Sequence, residues 1–176
     1  MFIALYFWRR DPGLLKRRIE FREKEAEQKT IMKIVHLLCL VGLVLAGFDY
    51  RYGWSRIPLW FVILSAVLVF LGYLLIFFVF KENSWASRTV EVERKQKVIT
   101  TGPYSVIRHP MYAGMILMFL FMPLALGSYW ALLFFVPIIA LIILRTVDEE
   151  EFLLRDLKGY REYYQKVKYR LLPGIW

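Results

Sequence analysis

The sequence predicts an all-α, polytopic membrane helix bundle of about four transmembrane helices, ending in a helical hairpin and a cytoplasmic C-terminal tail. Three observations predict it. Hydrophobic residues make up 59% of the 176 and fall in long blocks, a pattern of membrane segments and not of a water-soluble core. Met111 to Leu144 is a run of 34 residues without a charge; a span takes ~20 residues at ~1.5 Å each, so the run is too long for one and suits two. The basic residues alternate between connections. Of 24 Lys and Arg, 8 lie in residues 1–30, 6 in 81–110 and 7 from Arg145 onward, while loop 49–57 holds only Arg51 and Arg56 and 127–129 holds none. Four spans put the three basic segments on one side, which the positive-inside rule makes the cytoplasm.

In chain order, Phe2–Trp8 is apolar but too short to cross, and Arg9-Arg10-Asp11-Pro12 follows at once. It lacks the order and cleavage site of a signal peptide, which leaves an interfacial anchor or the last turns of an earlier helix. Residues 9–30 set Leu14, Leu15, Ile19 and Ala26 on one face of a short amphipathic surface helix. The first two spans are read at 31–48, where Lys33 snorkels to the headgroups, and 58–80. The polar segment 81–103 alternates at Val90 and Val92 and ends in the Gly102-Pro103 turn signal; so long a loop between spans points to function. The last spans, 111–126 and 129–146, flank a Gly127-Ser128 turn and contain Pro123 and Pro137, each of which removes a helix hydrogen bond. From Val147 the pattern is helical to about Lys158, and Gly159 punctuates it. Tyr160, Tyr163, Tyr164, Tyr169 and Trp176 then follow among basic residues and suit the headgroup layer. The four spans follow one another through the 176 residues, so one compact domain is expected over 1–176.

The net charge of +9, distributed this way, reads as orientation and contact with anionic lipid rather than nucleic acid. A single cysteine, Cys39, and two distant histidines rule out a disulfide framework and show no metal-ligand spacing. No Gly-rich dinucleotide fingerprint, P-loop, zinc-protease helix or nucleophile elbow occurs.

Chemistry concentrates in two segments, Tyr104-Ser-Val-Ile-Arg-His-Pro-Met-Tyr-Ala-Gly114 and Arg145-Thr-Val-Asp-Glu-Glu-Glu-Phe-Leu153. Counted outward from the Gly127-Ser128 turn, Arg108 lies level with Val147 and His109 with Thr146, so the hairpin brings the segments together at one membrane surface. Pro110 suits the first position of a helix, and Arg108 and His109 add positive charge to a helix end that already attracts anions. Two readings stand: a plain anchor for the span, or a held anion. Gly114 suits a close backbone approach or helix packing. Asp148-Glu149-Glu150-Glu151 reads as a solvated helix start, a salt-bridge network or a binding wall.

The set Gly102-Pro-Tyr104, Arg108-His-Pro-x-Tyr112-x-Gly114, Arg145-x-x-x-Glu149-Glu150-x-x-Leu153 and Tyr160…Tyr163…Arg170-Leu-Leu-Pro173 resembles the isoprenylcysteine carboxyl methyltransferase family, with its related phospholipid N-methyltransferases. The match covers about residues 98–176; the earlier spans agree by hydropathy alone. The resemblance implies an integral membrane enzyme using S-adenosylmethionine. Tyr104, Arg108, His109, Pro110, Tyr112 and Gly114 would line the cofactor pocket, with Glu149 and Glu150 on its other wall and Arg145 toward the substrate. Arg145, Glu150 and Arg108 are the expected catalytic set. Methyl transfer from a sulfonium asks mostly for positioning and electrostatics, and the acceptor would be a lipidic or small hydrophobic molecule offering a carboxylate, amine or thiol. Two alternatives remain: a nicotinamide-dependent membrane reductase of similar topology, and a non-catalytic membrane subunit.

Overall fold

The computed structural model describes Tyr6, residues 26–83 and residues 97–176. The readings of Phe2–Trp8, of the 9–30 surface helix and of Val90 and Val92 lie outside the described residues, save for Tyr6 and the helical stretch 26–30. The described chain is helical: α1 (Ala26–Tyr52), α2 (Leu59–Glu82), a 3-10 turn (Gly102–Ser105), α3 (Pro110–Ala125), α4 (Leu132–Asp156) and α5 (Tyr160–Lys166). Its one β feature among the described residues is an isolated parallel bridge between Ile107 and Tyr169.

Two helices are long and apolar enough to cross a membrane, over Thr30–Tyr52 and Leu59–Glu82, with mean hydropathy 2.3 and 2.9. Only 11% and 17% of these stretches are buried, so they are not the core helices of a soluble protein. Leu37, Leu40, Leu59 and Phe70 stand more than half exposed, and such a surface needs lipid as its solvent. α3 is apolar but shorter. It begins at Pro110, the position expected from the missing proline N–H.

α4 starts three residues later than the expected span. Ser128 accounts for the delay, since its hydroxyl accepts the Ala131 N–H while its own N–H goes to the Pro123 carbonyl, a side-chain cap that holds 129–131 in the turn. Gly127 supplies the left-handed backbone there, at φ 78°. The helix then runs to Asp156, so the acidic residues 148–151 are part of α4.

The chain packs as two compact units. One comprises Glu25–Leu74 and Tyr112–Arg145. Within it Gly72 meets α3 so closely that an added Cβ would lie 2.8 Å from both the Gly114 carbonyl and Met118 Cγ. Gly42 lies against Phe134 and Phe135 in the same manner, and Phe135 packs at 6.0 Å from Phe119. A fully buried carboxylate, Asp49, accepts the N–H and hydroxyl of Ser55, each at 2.6 Å, and the hydroxyl of Ser128. These bonds tie the α1–α2 loop to the α3–α4 turn.

The other unit, among the described residues, comprises Tyr6, 75–83, 97–111 and Thr146–Trp176. Val79 and Phe80 form one core cluster with Ile76, Phe77, Tyr104 and Met111. Leu157, Tyr160, Tyr163 and Val167 form another with Val98, Leu153 and Leu154. Gly102 turns at φ 58° with its α-carbon pressed on Glu82, whose carboxylate accepts the Thr101 hydroxyl at 2.8 Å. Burial corrects one expectation: Tyr160 and Tyr163 are each 4% exposed and belong to a protein core, whereas Tyr164, Tyr169 and Trp176 stay exposed.

Gly72→Ala is expected to destabilise the protein by about 1–3 kcal/mol through overpacking, read as a lowered unfolding temperature in detergent. Gly47→Ala is the control, because nothing lies within 4 Å of its added carbon; its unfolding temperature should hold or rise.

Candidate functional site

Glu150, on α4, is the centre of a buried ionic cluster. Its Oε1 accepts Arg108 Nε at 2.6 Å and lies 3.3 Å from His109 Nε2. Its Oε2 accepts Arg170 Nε at 2.7 Å and Arg108 Nη2 at 3.4 Å. Arg170 Nη2 is also 2.6 Å from Oε2, which makes that pair a fork. Side chains of Glu150, Arg108 and His109 are 3–5% exposed, and that of Arg170 18%.

Local backbone explains why these groups meet. Ile107, Arg108 and His109 leave the 3-10 turn as an irregular segment that pairs with 169–170: Arg108 N–H donates to the Tyr169 carbonyl at 2.9 Å and His109 N–H to the Arg170 carbonyl at 3.0 Å. Arg108 then crosses that segment, giving Nη1 to the carbonyls of Val167 and Lys168 at 2.8 and 2.7 Å, with its guanidinium 4.3 Å from the Tyr164 ring centre. Most of its donors are therefore committed to protein. His109 Nε2 also lies 3.5 Å from the Tyr160 hydroxyl, so in the Nε2–H tautomer one proton faces both oxygens.

Burial by itself would raise the Glu150 carboxyl. The hydrogen bonds from His109, Arg108 and Arg170, with the Arg108 charge, overcome it and hold the group at about 2. Burial pushes the Tyr160 hydroxyl well up, and the Glu150 charge pushes it further. Burial raises Tyr163 as well. Both phenols stay protonated: Tyr163 donates to the Tyr104 carbonyl at 2.7 Å, and the Tyr104 hydroxyl accepts from Asn83 at 2.9 Å.

The sequence-derived residues thus fall into distinct groups. Arg108, His109 and Glu150 meet at one carboxylate, and Pro110 beside them is fully buried at the start of α3. Glu149 is half-buried, Asp148 and Glu151 are exposed, and the negative charge of Glu149 reaches Tyr160. Tyr104 braces the same unit. Tyr112 and Arg145 belong to the other unit, where Arg145 Nε donates to the buried Tyr112 hydroxyl at 3.2 Å. Gly114 is the close-packing partner of Gly72 there.

Counting from the turn placed Arg108 level with Val147, but its partner is three residues further on. The difference is ~4.5 Å along a helix at ~1.5 Å per residue, within reach of an arginine side chain. Arg170, Tyr160 and Tyr164 were not assigned to the site by sequence. The Arg170-Leu-Leu-Pro173 motif carried the signal for the first, but spacing alone does not show that residues 169–170 return to the segment before α3.

Residues 60–158 match the phospholipid methyltransferase family, more than half of the chain and inclusive of Arg108, His109, Glu149 and Glu150. The chain belongs to the phospholipid methyltransferase family. It is accordingly a membrane methyltransferase, and the resemblance drawn from the two motif segments holds. Arg170 lies beyond the matched residues of this methyltransferase, yet its side chain is bonded to Glu150 inside them.

The cluster makes the methyltransferase acid-sensitive in a defined window. A carboxyl lowered from 4.5 to about 2 on folding contributes stability that is complete above pH 4.5 and lost as pH falls toward 2. Thermal unfolding in detergent across this range should show that loss in the wild type and a flatter acid limb in Glu150→Gln. At neutral pH Arg108→Ala is expected to cost about 1–3 kcal/mol, because the carbonyls of Val167 and Lys168 lose their donor while Arg170 remains on Glu150.

Proposed function

We propose that the methyltransferase transfers a methyl group from S-adenosylmethionine to a lipidic or small hydrophobic acceptor at the cytoplasmic membrane surface. The observation that carries this reading is the meeting of Arg108, His109 and Glu150, from two motif segments about forty residues apart, at a single buried carboxylate. In the proposed topology residues 1–176 form one domain with four spans, and the basic segments lie in the cytoplasm. That sidedness follows from the charge distribution.

The chemistry of the donor set fits this cofactor. Two guanidiniums, Arg108 and Arg170, face one buried carboxylate, so the cluster carries surplus positive charge that an additional carboxylate satisfies. Glu149, half-buried on the same helix, offers acceptor oxygens to an ammonium or to ribose hydroxyls. S-adenosylmethionine, when bound, supplies a methyl carbon made electrophilic by its sulfonium.

Within this proposal Arg108, His109 and Glu150 act chiefly by holding. Their mutual bonds keep the start of α3 and the segment 167–170 fixed, and positioning is most of what methyl transfer requires of a protein. Tyr104, Pro110, Tyr112 and Gly114 belong to the proposed cofactor set through the motif. Arg145, its Nε oriented by the Tyr112 hydroxyl, is the proposed clamp for an acidic group of the acceptor, because a planar guanidinium pairs with phosphate or carboxylate. The family is described by a phospholipid substrate, so a lipid amine is the first acceptor to test, ahead of thiols and prenylated carboxylates.

Calorimetry of the detergent-purified protein with S-adenosylhomocysteine should show binding. Glu149→Gln should weaken it about tenfold. Arg145→Ala should spare that affinity and lower methyl transfer to the acceptor by roughly 10- to 100-fold, measured with radiolabelled cofactor. Binding of NADPH in place of S-adenosylhomocysteine would overturn the proposal.

A further inference from the structure

Glu150 is held from two directions, and only one of them lies inside the family match. Arg108 is the inner holder. It is almost fully buried, binds both carboxylate oxygens, and is itself tied to the carbonyls of Val167 and Lys168. Arg170 is the outer holder: its Nε and Nη2 converge on Oε2 alone. The terminal torsion of a glutamate is soft, and Arg108 reaches Oε2 only at 3.4 Å, so Arg108 alone holds the carboxylate plane loosely. Two guanidiniums from different directions fix it.

Arg170 has its own support. No helix holds it, since it follows α5 in an irregular segment. Its carbonyl accepts the His109 N–H, and its guanidinium lies 4.5 Å from the centre of the Trp176 ring. The Trp176 carbonyl accepts the N–H groups of Leu171 and Leu172, at 2.9 and 3.0 Å, and its own N–H returns to the Leu172 carbonyl. Residues 171–176 therefore make a closed hook whose aromatic ring backs the guanidinium. Leu171, at its root, is 4% exposed.

We propose that Arg170 is a positioning residue for the cofactor site: backed by Trp176, it fixes the orientation of the Glu150 carboxylate, and through Glu150 it sets cofactor affinity. The role rests on the proposed use of S-adenosylmethionine. It is separable from plain structural support, because Arg108 stays on Glu150 when Arg170 is removed. Loss of Arg170 therefore leaves no uncompensated buried charge and costs the fold little, while the carboxylate loses its second anchor.

The test uses the full chain in detergent micelles, with calorimetry against S-adenosylhomocysteine and thermal unfolding on each variant. Arg170→Ala should weaken the affinity roughly tenfold and leave the neutral-pH unfolding temperature within a few degrees of wild type. Arg170→Lys should not restore it, because an ammonium lacks the planar fork. Trp176→Ala should give a smaller loss that Trp176→Phe recovers. In the background of Glu150→Gln, Arg170→Ala should add little, since both act through one carboxylate. Wild-type affinity in Arg170→Ala, or a loss that adds in full to that of Glu150→Gln, would overturn the proposal.

A second readout requires no cofactor. The groups facing Glu150 are Arg108, His109 and Arg170, with Tyr160 behind His109. Removing Arg170 should shift the acid-unfolding midpoint to higher pH, and Glu150→Gln should abolish that shift. A wild-type protein that binds no S-adenosylhomocysteine while showing this shift would refute the proposed function and retain the coupling. An unmoved midpoint in Arg170→Ala would refute the coupling itself.

Discussion

One buried carboxylate organises the unit that carries the motifs. Taking a charge out of water is expensive, and Glu150 is tolerable in its position because charged and polar donors close around it, Arg108 foremost, with His109 and Arg170. Each of these partners comes from a part of the chain with little regular structure of its own. Arg108 and His109 sit in the irregular link before α3, and Arg170 sits in the irregular segment after α5. The requirement to satisfy one charge therefore fixes backbone that no helix would otherwise hold. The parallel bridge at Ile107 and Tyr169, together with the Arg108 bonds to the 167–168 carbonyls, follows from the same constraint.

Much of this was legible in the sequence because it rests on one-dimensional signals. Apolar run lengths predicted the helices, Pro110 the start of α3, Gly127 its turn and Gly159 the break before α5. Charge content singled out the two motif segments, and the family resemblance narrowed the acidic run to Glu149 and Glu150. The burial of Glu150 beside a more accessible Glu149 was not legible, because it depends on the rotation of α4. Neither was the return of residues 167–170. That contact is made by main-chain carbonyls, which carry no sequence identity. The tyrosines were misplaced for a related reason. An aromatic beside basic residues looks the same whether it lies at a headgroup layer or under a short helix, and Tyr160 and Tyr163 are in the second situation.

Family membership and side-chain geometry bear on different parts of function. The family establishes methyl transfer by a membrane protein; the geometry concerns how charges are arranged. Arg108, which the motif presents as a direct ligand, has most of its donors occupied by Glu150 and by backbone. Its main contribution is the rigidity of the wall to which it belongs. Arg145 differs in its setting: its Nε donates to the hydroxyl of Tyr112.

The Asp49 junction has a consequence for how the helices come together. Ser55 supplies two donors from the loop that follows α1, so the carboxylate is partly satisfied as soon as α1 and α2 exist as a pair. The donor from Ser128 arrives only with the pair formed by α3 and α4. In surroundings poor in water, a missing donor to a charged oxygen is a standing penalty. A half-assembled bundle carries that penalty and a correctly docked one does not. A serine in a tight turn thereby acts as a checkpoint on assembly, rewarding the arrival of the second helical pair in its proper register.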